Sequence, residues 1–204
     1  MSKKPMPKEF YLEFVDYDYL APIGQVMVQW SIMEHYIENA IWQAAGTPVN
    51  LGRSMTSQTQ IQSKLDILST LLYEINPNFA NQFRLVARYI RECLLGKRNL
   101  ITHGFWITNP DTNRVVVIKM AAKGKLISKS RVIPIQEVIE LSHDIADVTS
   151  WVDQLCAALP RLRKKRAAPN HKNPSPQTPP NCPILKQQAL QHLAQPPKAP
   201  QKKK

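Results

Sequence analysis

The chain has 204 residues and a formal net charge of +12, long enough for one domain with a sizeable core. The charge is concentrated: residues 161–204 hold 11 Lys/Arg and no Asp/Glu, whereas residues 1–160 hold 16 basic and 15 acidic residues, so the basicity belongs to the tail and speaks of anionic partners rather than of the fold. Three cysteines without metal-ligand spacing (Cys93, Cys156, Cys182) argue against a disulfide framework or a zinc site and fit a reducing, cytoplasmic setting, and no apolar run suits a signal peptide or a membrane span.

Residues 1–22 mix Tyr11, Leu12, Phe14, Val15, Tyr17, Tyr19 and Leu20 with Glu13, Asp16 and Asp18 and have no clean period, which predicts an arm or a short helix. From Ile23 to Ala45 the spacing of Ile23, Met27, Trp30, Ile37, Ile41 and Ala44 predicts a helix stopped by Gly46 and Pro48. Glu34 lies on that stripe. A carboxylate there either reaches solvent at the stripe's edge or is paired with an arginine from another helix, since an unpaired buried charge is costly. Residues 47–56 read as a loop. A second helix is expected from Thr56 or Ser57, with Ile61, Leu65, Leu68, Leu72 and Ile75 inward, ending at Asn76-Pro77-Asn78.

A third helix is expected from about Phe79, with Phe79, Phe83, Val86, Ile90, Cys93 and Leu94 buried. In an unbroken helix Arg84, Arg88, Arg91 and Arg98 fall within roughly 40° of one line. Such a strip is either a solvated basic face or a row that holds phosphates or pairs with Glu34. Gly96 within it either lets another backbone approach or begins an unwinding.

After Gly104 the pattern turns to β-branched and aromatic residues. Phe105–Thr108, Arg114–Met120 and Leu126–Ile133, separated by turn sequences, predict a small antiparallel meander at about 105–133. A last helix is expected from near Pro134, on Val138, Leu141, Ile145, Val148, Val152, Leu155 and Leu159. Residues 160–204 contain 10 prolines and read as a disordered tail. The expected fold is therefore mainly α: a helical bundle over 23–159 with a β insert before the last helix.

The polar residues least readily explained as ordinary surface are Arg98, Asn99 and His103, in the run RNLITHG at the junction of helix and insert. Asn99 stands four residues before His103, so the two share a helix face. Gly104 suits a left-handed cap. An imidazole can give or take a proton near neutrality, and a guanidinium fork matches phosphate oxygens. His35, His143, His171 and His192 lack such company and read as surface or tail, and the four tryptophans read as core.

The run resembles the R-N-x-x-x-H motif of the HEPN superfamily, small helical bundles that are often homodimeric and often metal-independent endoribonucleases. The resemblance covers roughly residues 23–159. It implies RNA as partner, no cofactor, catalytic roles for Arg98, Asn99 and His103, and a conflict role with an antitoxin or other protein partner. The β insert departs from a plain bundle. On an unbroken helix Arg98 and His103 lie roughly 140° apart, so either the helix loosens at the motif or two copies combine an arginine with a histidine.

Overall fold

The computed structural model describes residues 15, 17–109, 112, 114–122 and 126–167. The element order is α1 (Tyr17–Ala45), α2 (Val49–Thr56), α3 (Ile61–Ile75), α4 (Pro77–Tyr89), a π-helical turn (Ile90–Leu94), α5 (Leu95–His103), strands β1 (Phe105–Asn109), β2 (Arg114–Ala122) and β3 (Leu126–Val132), and α6 (Ile135–Ala167). The strands form one antiparallel sheet in the order β1-β2-β3. A mainly α fold with a β-meander before the last helix is thus present. No helix among the described residues is long and apolar enough to cross a membrane.

The bundle is built on α1 and α6. All seven predicted apolar positions of α6, from Val138 to Leu159, are buried, and burying side chains of this kind stabilises by roughly 1.5–3 kcal/mol each. From α1 they meet Val26, Trp30, Met33, Ile37, Ala40 and Ala44. Leu65, Leu68 and Leu72 of α3 and Phe83, Val86 and Ile90 of the following helix close the core. Phe83 stacks on Trp151 at 6.2 Å between ring centroids. All four tryptophans are buried, as expected.

Several boundaries differ from the sequence reading. The first helix begins at Tyr17, inside the expected arm, and absorbs Pro22. Its first turns are held by distant groups: the Tyr19 hydroxyl donates to the Ile133 carbonyl at 2.9 Å, and its ring lies 5.9 Å from that of Trp106. Met27, expected inside, is half exposed, because α1 is apolar on two sides over its first turns. Gly46 does end α1 with a φ of 72°.

The expected loop at 47–56 is the helix α2. Gly52 sits so close to the Trp42 ring that a Cβ would collide with it. The Trp42 indole N–H donates to the Thr56 hydroxyl at 3.2 Å, so Thr56 closes α2 rather than capping the next helix. Helix α3 starts only at Ile61. Asn76 both ends α3 and caps α4, its side-chain oxygen accepting from the backbone N–H groups of Asn78 and Phe79.

The last helix runs past Leu159 and Pro160 to Ala167, overturning the expected start of the tail at 160. Arg163 donates to the Gln43 carbonyl at 2.9 Å, and this tie to the end of α1 holds the added turns. The remainder of the expected tail (168–204) and of the arm (1–14 and 16) lies outside the described residues.

Gly104 is not a left-handed cap: its φ is −75°. It is required for another reason. A Cβ there would be driven into the Val117 side chain and the Leu100 carbonyl oxygen, where β2 closes on the end of α5. Gly96, by contrast, has open space where its Cβ would stand. Gly104→Ala is therefore expected to destabilise by about 1–3 kcal/mol and Gly96→Ala to stabilise by about 1 kcal/mol, read by urea denaturation. Equal effects of the two would contradict this assignment of the close approach.

Candidate active site

The helix carrying Arg98, Asn99 and His103 is set by the turn before it. Between Ile90 and Leu94 the chain adds one residue to the helical turn, and the Leu95 N–H bonds to the Ile90 carbonyl, five residues back. An inserted residue rotates everything after it by about 90–100° relative to an unbroken α-helix. Arg98 is thereby turned off the line of Arg84, Arg88 and Arg91, and the expected four-arginine strip does not exist.

Arg98 instead packs inward. Its guanidinium carbon lies 5.1 Å from the centroid of the Trp30 ring of α1. Its Nη1 donates to the Asn99 side-chain oxygen at 3.0 Å. Its Nε is buried and has no hydrogen-bond partner among the described residues. Resting on an aromatic face restricts the fork to a narrow range of directions, and a buried N–H without a partner is a cost that structures rarely carry except where a site has a use for the group.

The end of α5 is firmly tied. The Gly104 N–H donates to the Leu100 carbonyl, and the Trp106 indole N–H to the Ile101 carbonyl, each at 2.9 Å. Trp106 is thus a capping and core residue. The helix is regular from Leu95 to His103, so it does not loosen between Arg98 and His103, which remain roughly 140° apart around the axis. Asn99 stands between them, about 40° from His103, with its oxygen engaged by Arg98. His103 is exposed at the helix end, and Phe105, two residues on, is half exposed beside it.

Glu34 does not face an arginine. It accepts from the ammonium of Lys64 at 2.7 Å, and Glu38 meets the same ammonium at 2.6 Å. Lys64 is almost wholly buried. Burial opposes its charge, but the two carboxylates outweigh it and hold the ammonium above its ordinary value. The sequence showed an acid on an apolar stripe. It did not show that a lysine, the residue type least expected inside, was the partner.

Arg84, Arg88 and Arg91 line an open cleft of about 470 Å³ with Asp66, Ser69, Thr70 and Glu92. Arg91 is paired with Asp66 and also donates to the Gln62 carbonyl. The two cysteines among the described residues do not support thiol chemistry. Burial and the neighbouring Glu92 raise Cys93, and burial with Asp153 lifts Cys156 to about 11, so both stay protonated near neutrality.

Compared with known proteins, the chain matches no family model, no curated protein and no solved structure. The functional reading therefore rests on its own residues.

Proposed function

We propose that the chain is a metal-independent endoribonuclease of the HEPN type, acting in the cytoplasm as a homodimer. The observation that carries this reading is Arg98: a guanidinium steadied by Trp30 and Asn99, with a buried N–H left unsatisfied, one and a half turns before an exposed histidine. In the reaction an RNA 2′-oxygen forms a bond to its own phosphorus as the bond to the 5′-oxygen breaks. The 2′-hydroxyl gives up its proton, the leaving 5′-oxygen gains one, and the product is a 2′,3′-cyclic phosphate. His103 exchanges these protons, and Arg98 neutralises charge on the phosphoryl oxygens. Asn99 holds Arg98 in place.

The regularity of α5 favours the dimer. Arg98 and His103 of one copy do not converge easily on one phosphate, and a two-fold pairing would supply one from each copy. A surface suits the second copy: Tyr17, Leu20, Met27, Val28 and Ile32 are exposed along one side of α1, and a helix apolar on both sides is one whose outer side is meant to be covered. The same stripe favours the rival reading, a non-catalytic interaction protein.

Incubation of purified protein with single-stranded RNA in EDTA separates the two. Cleavage leaving cyclic phosphate ends is expected. A stable dimer that binds RNA and leaves it uncut would establish the rival.

A further inference from the structure

We propose that the cleft between α3 and α4 is a groove for single-stranded RNA, in which a base stacks at Tyr73 and the adjoining phosphates sit on Arg84, Arg88 and Arg91. The choice of RNA rests on the function proposed above; binding in the groove does not require cleavage.

The two helices are joined by the single residue Asn76 and run antiparallel. Gln62, Asp66, Ser69, Thr70 and Tyr73 fall within about 50° of one line on α3, and Arg84, Arg88 and Arg91 within about 30° of one on the facing helix. The pairs that meet across the cleft set the register. Arg91 meets Asp66, and the Arg84 guanidinium lies 5.5 Å from the Tyr73 ring centroid. Arg88 falls between them, level with the hydroxyls of Ser69 and Thr70, which line the same cleft.

Three arginines face Asp66 and Glu92, so the groove keeps one positive charge in excess. Arg91 and Asp66 are joined by an exposed ion pair, of a kind that contributes little, so a phosphate can take the place of the carboxylate. Tyr73 is half exposed at the end of the arginine row. An exposed aromatic beside a row of cations is what an unpaired strand requires: a π-face for a base and charges at its phosphates. A duplex keeps its bases stacked inside and has no use for the ring. The cleft's volume is that of a small-ligand pocket. It can seat a nucleotide and a neighbouring phosphate.

The test uses the full chain carrying His103→Ala, so that RNA is held rather than cut, and an oligouridine containing 4-thiouridine. Cross-links mapped by mass spectrometry are expected at Tyr73. The triple variant R84Q/R88Q/R91Q should weaken binding at least tenfold. It should also lower the slope of log K against log salt by about 2, since each phosphate of a single strand that a cation neutralises adds roughly 0.7 to that slope. Tyr73→Ala should weaken binding about tenfold, and Tyr73→Phe should restore it. Arg84, Arg88 and Tyr73 are exposed and Arg91 is partly so, and circular dichroism verifies that each variant is folded. Cross-links confined to residues 168–204, or a triple variant with unchanged affinity and salt slope, would overturn the proposal. So would full competition by inorganic pyrophosphate combined with indifference to Tyr73, which would reduce the groove to a phosphate site. Failure of the wild-type protein to cut RNA, with Tyr73 cross-links retained, would reject the nuclease reading and leave the groove standing.

Discussion

His103→Ala is expected to lower RNA cleavage by about 10²- to 10⁴-fold, the range over which a positioned acid–base group acts. His103 is exposed at the end of α5, so its removal leaves the fold intact and thermal unfolding should be unchanged. Arg98→Ala is expected to be similarly inactive, for a different reason: it removes the charge proposed to neutralise the phosphoryl oxygens in the transition state. The more telling measurement mixes the two inactive proteins. Arg98 and His103 lie roughly 140° apart on a regular helix, so in the proposed homodimer each reacting phosphate takes its arginine from one chain and its histidine from the other. A mixed dimer then has one site with both groups and one with neither. With random exchange about half of the dimers are mixed, and about a quarter of wild-type activity should return. Recovery that stays at the level of the separate mutants after exchange would rule out the two-chain site. Cleavage unaffected by His103→Ala would remove the catalytic assignment altogether.

Lys64→Met is expected to destabilise the protein by about 3–5 kcal/mol, the usual cost of removing one partner from a buried charge cluster. Methionine replaces most of the apolar stem but leaves Glu34 and Glu38 facing each other without the ammonium between them. In a chain of this size that corresponds to a fall in Tm of about 10 °C. The triple variant Lys64→Met, Glu34→Gln, Glu38→Gln should recover most of the loss, because the repelling charges are gone. If the triple variant were no more stable than Lys64→Met, packing of the lysine stem rather than charge would account for the effect. The pH dependence has a definite sign. The folded-state pKa of Lys64 is raised, so its contribution is complete below the unfolded value near 10.5 and is lost only as pH rises through the higher folded value. The gap between wild type and Lys64→Met should therefore be flat from about pH 7 to about pH 9 and close only above that range.

These two sites differ in how they could be read in advance. Arg98, Asn99 and His103 are close enough in the chain to be noticed as a group, and a resemblance attached to them. Lys64 and its carboxylates are thirty and twenty-six residues apart in the chain, on α3 and α1, and no local pattern joins them. Charge alone allows Glu34 an arginine partner, but the helix facing it supplies a lysine. Arg98 found its support in Trp30, which its periodicity marked only as a core residue.

The helical stripes and the meander could be read from the chain without its fold. Val138 to Leu159 on α6, Leu65, Leu68 and Leu72 on α3, and the alternation of Val115 and Val117 in β2 are buried as their spacing requires, because periodicity is a property of neighbours along one chain. The rest depended on residues far apart in sequence. The π turn at Ile90–Leu94 sets which way Arg98 points, and it leaves no mark in an apolar pattern that reads as helix on either side. Helix α2 forms from loop-like residues because Gly52 and Thr56 dock on Trp42, and α6 outlasts Pro160 with Arg163 bonded to Gln43. Local propensity in those segments is weak, and packing against distant residues outweighs it. The direction of the motif's side chains, on which the proposed chemistry depends, belongs to this second class.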